Sequence, residues 1–298
     1  MNRRVFLLIA LGLMTLLGSS DSVQAAHKIK AIASFSILGD MVSQVGGDRV
    51  DVIALVGPDG DAHVYEPTPA DAKNLAVANI LFVNGLGFEG WMDRLEKSSG
   101  FKGKVVVAST GVTPRQMVED EKKITDPHAW QSLANGKLYV ANMRDGLIAV
   151  DPEGKAIYET NAAKYLDEIV KEETVVKETL AKLPEERRKI ITSHDAFGYF
   201  GAAYGLEVIA PEGVSTESEA SAKDVAKIIR QIKAEKVPAV FMENITDHRL
   251  LDQIAKETGA KIGGTLYTDA LSQPSGPAGT YLDMFRNNIE TLSEALSS

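Results

Sequence analysis

Short runs dense in β-branched residues recur along the chain. Those of the first half are bounded by Gly, Asp or Ser, and helix-like stretches fit between the runs. "KIKAIAS" (28–34), "DVIALV" (51–56), "ILFV" (80–83) and "KVVVAS" (104–109) form a first set. "KIITS" (189–193), "LEVIA" (206–210), "PAVFME" (238–243) and "KIGGTLY" (261–267) form a second. Continuous apolar runs of this length are what parallel strands covered on both faces require. Helices are predicted over 36–46 and 69–78 in the first half and over 218–236 and 246–258 in the second. Thr68 before Pro69 is a start signal, a capping hydroxyl followed by a residue whose φ is preset for a first turn. The alternation predicts an α/β fold with two parallel-sheet lobes.

Between the two sets the pattern changes. Asp151-Pro152-Glu153 reads as a helix opening, with a capping carboxylate and acid near the positive end of the dipole. Ile157, Tyr165, Leu166, Ile169, Val170, Val176, Leu180 and Leu183 then recur mostly three or four apart, up to Pro184. One amphipathic helix of about 30 residues, about 45 Å long, is too long for a crossover within one sheet. It is expected to be a rigid linker over 151–184, between an N-terminal lobe at 26–150 and a C-terminal lobe at 185–298.

The first residues carry Arg3 and Arg4, an apolar stretch from Val5 to Leu17 and a small-x-small site at Val23-Gln24-Ala25. This predicts a secretory signal peptide over 1–25 and a periplasmic protein, because the apolar run falls short of the about 20 residues a membrane span needs. About 273 residues would remain after cleavage, which at about 150 per domain suggests two domains. The sequence has no cysteine, so it offers no disulfide and no cysteine for lipid attachment. The formal charge moves from −9 to about −10 once Arg3, Arg4 and Asp21 leave with the leader, which weighs against nucleic acid or anionic lipid as partner.

"NGLGFEGW", Asn84 to Trp91, holds Gly85-x-Gly87-x-x-Gly90 between a strand-like run and the helix-like "WMDRLEK". The spacing is that of a dinucleotide loop, but that fingerprint needs an acid at the end of the next strand, about 20 residues on. That strand here ends in Ser109 and Thr110. The glycines are therefore expected to make a tight turn that shapes a cleft wall, with no phosphate bound.

Only five histidines occur. His27 at the new N-terminus and His248 in "TDHRLLDQ" read as solvated. His63 in "GDAHVYEPTPAD" and His194 in "IITSHDAFGYF" lie in loops just beyond strands, and His128 in "ITDPHAWQS" lies in a loop with a Pro-fixed turn. Open α/β sheets bind ligands at the carboxyl ends of their strands. Three such loops in a chain so poor in histidine point to a shared metal site. Asp269 in "GTLYTDALS" has the same strand-end placement and is the candidate fourth ligand, although alone it reads equally well as a helix cap.

"HVYEPTPAD", "NGLGFEGW", "DPHAW", "SHDAFGYF" and "YTDALS" occur in that order along nearly the whole chain beyond the leader. Together they resemble the periplasmic solute-binding receptors of zinc- and manganese-importing ABC transporters, the TroA-like or cluster A-I metal-binding proteins. The resemblance implies two α/β lobes joined by one long helix, with a metal site in the interlobe cleft at His63, His128, His194 and Asp269. It also implies a monomeric receptor that hands its ion to a membrane permease and performs no catalysis. Many manganese importers of that family have Glu where this chain has His194. Many zinc-specialised members carry a long His-rich loop, of which "EDEKK" (119–123) is only a short, His-free counterpart. Three imidazoles and one carboxylate suit four-coordinate zinc, whereas manganese favours more oxygen ligands and would need Asp269 to bind through both oxygens. Zinc is expected ahead of manganese. Two other readings compete. A zinc-dependent hydrolase would need an open coordination position and a base, for which Glu66 and Asp195 are candidates, Asp195 being able instead to orient an imidazole. A receptor for iron chelates or cobalamin shares the long helix but does not need four convergent ligands.

Overall fold

The computed structural model describes residues 28–119, 122–217 and 220–297, so the predicted leader, its cleavage site and His27 lie outside the described residues. In the first lobe β1 (Ile29–Phe35), α1 (Ser36–Gly46), β2 (Val50–Val56), α2 (Pro69–Ala76), β3 (Ile80–Val83), α3 (Met92–Ser99) and β4 (Lys104–Val107) alternate. The four strands are parallel, in the order β2-β1-β3-β4. β3 is buried along its whole length, which is why it reads as an unbroken apolar run, and β1 is buried from Ala31 onward with Ser34 its one polar residue there. Thr68 and Asp71 form the reciprocal capping box that starts α2.

An antiparallel hairpin, β5 (Gln116–Glu119) with β6 (Lys122–Thr125), then leads into α4 (Leu133–Val150) and α5 (Lys155–Ala181). The second lobe follows with β7 (Lys189–Ile191), α6 (Gly198–Tyr204), β8 (Glu207–Ile209), α7 (Ala222–Glu235), β9 (Ala239–Glu243), α8 (Arg249–Thr258), β10 (Lys261–Leu266) and α9 (Tyr281–Leu296). Its strands are also parallel, in the order β10-β9-β7-β8. α7 begins later than its apolar spacing predicts because a cap sets the start, the Ser221 hydroxyl accepting the Asp224 amide. α8 also begins later, after a turn in which Asp247 accepts the Arg249 amide at 2.9 Å.

The linker helix differs in detail from its prediction. A 3-10 turn at Pro152–Gly154 precedes α5, whose 27 residues span about 40 Å. Asp151 makes no side-chain cap. It is buried and takes the Arg49 guanidinium at 2.8 and 2.9 Å and the Tyr158 hydroxyl at 2.6 Å. The buried stripe runs through Tyr158, Ala162, Tyr165, Ile169, Glu172, Val176 and Leu180, leaving Ile157 and Val170 exposed. Glu172 is tolerated in that stripe because Arg286 of α9 meets it at 2.9 Å.

α5 packs on α1 and α4 of the first lobe and on α9 and α6 of the second. The main core is continuous across both lobes, from Phe35, Phe88 and Trp130 to Phe197, Phe200, Tyr281 and Phe285. A smaller cluster, Ile228, Ile232, Leu251 and Ile254 against Ile191 and Val240, lies beneath α7 and α8. Strand order reverses between β1 and β3 and again between β7 and β9, the points where open α/β sheets leave a crevice. Between β7 and β9 only Ile191 and Val240 are paired, so side chains take over directly beyond them.

α4 is absent from the sequence-based prediction because its Gly and Asn residues lower its helix propensity. Packing demands one of those glycines. A Cβ on Gly136 would lie 2.7 Å from the hydroxyl of Tyr281, which is itself held by the Trp130 carbonyl at 2.5 Å. Gly136→Ala should therefore destabilise the protein by about 1–3 kcal/mol. An exposed helix site would instead gain from the same change. Denaturant unfolding of the two proteins measures the difference.

Candidate metal centre

Four loops carry the site. His63 follows β2 in "GPDGDAH", a loop stitched to the second lobe. Asp59, at φ 56°, donates its amide to the Leu271 carbonyl at 2.8 Å and accepts from Asn244 Nδ2 at 3.1 Å. Asp61 accepts the His63 amide at 2.9 Å through one oxygen and the Thr216 hydroxyl at 2.6 Å through the other. From the first lobe, Trp91 Nε1 holds the Ala62 carbonyl at 2.8 Å.

His128 follows β6 and is held by the buried carboxylate of Asp126. One oxygen of Asp126 accepts both the His128 amide and His128 Nδ1 at 2.9 Å. His194 follows β7, and Glu243 at the end of β9 accepts its Nδ1 at 2.5 Å. Asp269 follows β10. The neighbouring Thr268 carbonyl takes Trp130 Nε1 at 2.9 Å and Gln131 Nε2 at 2.7 Å, which locks this loop to the first lobe. Because a carboxylate only accepts, His128 and His194 each carry a proton on Nδ1, and both turn Nε2 towards the centre.

The structure brings all four predicted side chains together, with one potential ligand atom from each lying within 4.8 Å of the others. His63 Nε2 is 3.2 Å from His128 Nε2 and 3.1 Å from Asp269 Oδ2, and His194 Nε2 is 3.0 Å from the same oxygen. His128, His194 and Asp269 are fully buried, and His63 is 8 % exposed. Asp269 Oδ1 is buried with no hydrogen-bond partner among the described residues.

The glycine loop builds the wall between the two first-lobe histidines. Gly85, Leu86 and Gly87 have φ of 82°, 57° and 84°, a succession that glycine makes accessible. Glu89 of the same loop accepts the amides of Asn84 at 2.6 Å and Gly85 at 3.2 Å, plus the Ser34 hydroxyl at 2.6 Å. The loop's own carboxylate thus occupies backbone donors that a nucleotide loop would offer to phosphate. Phe88 sets its ring 4.7 Å from His63, in edge contact, and Asn84 Nδ2 holds the Pro127 carbonyl at 2.9 Å.

Electrostatics divide the histidines. Burial pushes the His63 imidazole below its usual range, and Asp269 only partly offsets this. Burial acts the same way on His128, but Asp269 and Asp126 outweigh it and push the imidazole up to about 9. His194 is held well above the ordinary range, burial again being outweighed, here by Glu243 and Asp269. Asp269, which burial alone would raise, is held well below the usual carboxylate range by His128 and His194. Protons on two imidazoles supply the positive charge that this buried carboxylate needs when no cation is bound.

Asp195 does not orient an imidazole. Its amide bonds to the Gly213 carbonyl, and the orienting carboxylates are Asp126 and Glu243, neither singled out by sequence reasoning. Asp126 had a local signal, an acid two residues before a histidine in a Pro-fixed loop. Glu243 had none, being 49 residues from its partner. Glu66 is exposed and lines a separate groove with Pro67, Pro69 and Arg94. His248 is exposed, with its ring against the Glu243 carbonyl at 3.2 Å.

The chain is similar to known proteins in sequence and in fold. The manganese-binding lipoprotein MntA of Halalkalibacterium halodurans is 33% identical over 269 residues, covering 90% of this chain and 89% of its own. The periplasmic zinc-binding protein TroA of Treponema pallidum superposes with a TM-score of 0.86 at 30% identity, over 90% of this chain and 99% of its own. A manganese-bound periplasmic metal-binding protein of Candidatus Liberibacter asiaticus gives a TM-score of 0.81 at 32% identity, over 90% of this chain and all of its own. Residues 32–295 match the ZnuA family, described as zinc-uptake complex component A, periplasmic. That match runs through both sheets, the long helix and all four converging side chains, and the chain belongs to the ZnuA family.

Proposed function

We propose that this protein is the extracytoplasmic receptor of a metal-importing ABC transporter and holds one divalent ion on His63, His128, His194 and Asp269. The observation that carries the reading is the Asp269 carboxylate. One oxygen is shared by two imidazoles at 3.0 and 3.1 Å, while the other is buried without a partner among the described residues. A buried polar atom left unsatisfied costs about 1–3 kcal/mol, and a cation placed among these groups removes that cost. The donor set of three imidazoles and a carboxylate fits zinc ahead of manganese, and the second Asp269 oxygen would supply the extra donor that manganese favours.

The family's members are transport receptors, and the site has no place for hydrolysis. Glu66 lies outside it, and four protein ligands close a tetrahedral zinc to water. We read the chain as N-terminal lobe 26–150, linker 151–184 and C-terminal lobe 185–298, with the leader removed near Ala25 and the mature protein a periplasmic monomer that docks on its permease. The absence of cysteine supports release of this protein where the H. halodurans relative is named a lipoprotein. Among the described residues no helix is long and apolar enough to cross a membrane. The linker packed on both lobes and the shared core support small lobe displacements on loading.

Elemental analysis of protein purified from the periplasm, followed by zinc and manganese competition titrations, tests the reading. It expects one zinc per chain and stronger binding of zinc than of manganese; protein that binds neither ion would refute it. His63→Ala should weaken zinc binding by about a hundredfold or more, since removal of even an outer partner costs about 10–100-fold. The ion-free protein should still fold, with its melting temperature lowered by the loss of the His63–Asp269 contact and of the packing on Phe88.

The raised imidazoles also set a pH dependence. At pH 7 the ion-free protein holds protons on His128 and His194 that zinc must displace, so loading should release about two protons and affinity should rise with pH. Calorimetry in buffers of different ionisation enthalpy counts them, and a count of zero would contradict the assignment. For the ion-free fold the sign is opposite. Stabilisation by these imidazolium–carboxylate contacts is complete below the unfolded histidine value of about 6.5 and is lost as pH rises through about 9 for His128. Melting of the ion-free protein should fall over that window, and melting of the zinc-loaded protein should not follow it.

A further inference from the structure

Glu243 ends β9, the strand next to the point where the second sheet reverses its order, and its side chain is fully buried. No basic side chain bonds to it among the described residues other than His194. Oε1 accepts the amides of Ser193 at 2.7 Å and His194 at 3.0 Å, exactly where pairing between β7 and β9 has stopped after Ile191 and Val240. Oε2 accepts His194 Nδ1 at 2.5 Å and the Thr268 hydroxyl at 3.3 Å. One carboxylate therefore fixes the backbone that delivers His194, the rotation of its ring and the tautomer of its imidazole. Through Thr268 it also touches the residue preceding Asp269.

We propose that Glu243 is the positioning residue of the second-lobe half of the metal site, holding His194 as an Nε2 ligand and setting its spacing from Asp269. This rests on the proposed metal-receptor reading. A carboxylate behind an imidazole ligand fixes the ring and raises its basicity. The burial of the group follows from the same role, since a carboxylate at zero exposure is tolerated only where several donors satisfy it. His128 has the equivalent partner in Asp126, from its own loop. Glu243 differs in joining two loops of the second lobe, those of His194 and Asp269, across 50 and 25 residues of chain from Ser193 and Thr268.

Glu243→Gln keeps the size and one oxygen for the two amides, but it removes the charge and the unconditional acceptor for Nδ1–H. Its zinc affinity, read by competition with a chromogenic chelator, should fall about 10–100-fold. The decisive comparison is a double-mutant cycle with His194→Ala, using zinc alone as the probe. If Glu243 acts through His194, adding Glu243→Gln to His194→Ala should cost only about twofold more. An equal penalty in both backgrounds would mean a general structural role and overturn the proposal, as would a Glu243→Gln protein that binds zinc like the wild type. Nitrogen and proton NMR of the zinc-loaded wild type gives a test that needs no variant to fold. It should show His194 with zinc on Nε2 and a strongly hydrogen-bonded proton on Nδ1; the reverse tautomer would sink the proposal. If the wild type itself binds no zinc, the receptor reading has failed rather than this assignment.

Discussion

The structure turns on one buried carboxylate and the positive charge that it requires around it. Asp269 is fully buried, with one oxygen shared between His63 and His194 and the other without a partner among the described residues. Everything around it keeps three imidazole nitrogens within reach of that group. Asp126 and Glu243 stand behind two of the rings, and Phe88 stands beside the third. Without an ion, protons on His128 and His194 hold the site together electrostatically.

Such a site demands that two sheets keep a fixed separation, because His63 and His128 come from one lobe and His194 and Asp269 from the other. The fold meets this with α5 packed on both lobes and a core that passes between them without a break. Finer control comes from polar stitches across the cleft, such as Asp59 with Asn244 and Leu271, and Trp130 and Gln131 with the Thr268 carbonyl. The glycine-rich turn belongs to the same scheme. It resembles a phosphate loop because both must bring backbone close to the end of a strand, but Glu89 fills it from within.

Much of this was legible in the sequence because burial on both faces leaves an unmistakable mark. β1, β3 and β9 read as apolar runs, and histidines are so few that those at strand ends stood out. The linker helix was legible, and with it most of the buried face through Tyr165, Ile169, Val176 and Leu180, but Ile157 and Val170 face outward while Glu172 faces inward with Arg286. A charge pair made by the fold can reverse the preference that each residue has alone. α4 was hidden by its glycines, one of which, Gly136, lets Tyr281 approach. At the site, neighbours in the chain misled where neighbours in space decide. Asp195 adjoins His194 in sequence, yet Glu243 on another strand holds the ring.

The most direct measurement is X-ray absorption of the zinc-loaded protein, which reports the atoms around the ion itself. A first shell of three imidazole nitrogens at about 2.0–2.1 Å and one or two carboxylate oxygens at about 2.0–2.2 Å, with no water, is the expected result. A shell made mostly of oxygen, or one containing fewer than three imidazoles, would contradict a site built from His63, His128, His194 and Asp269.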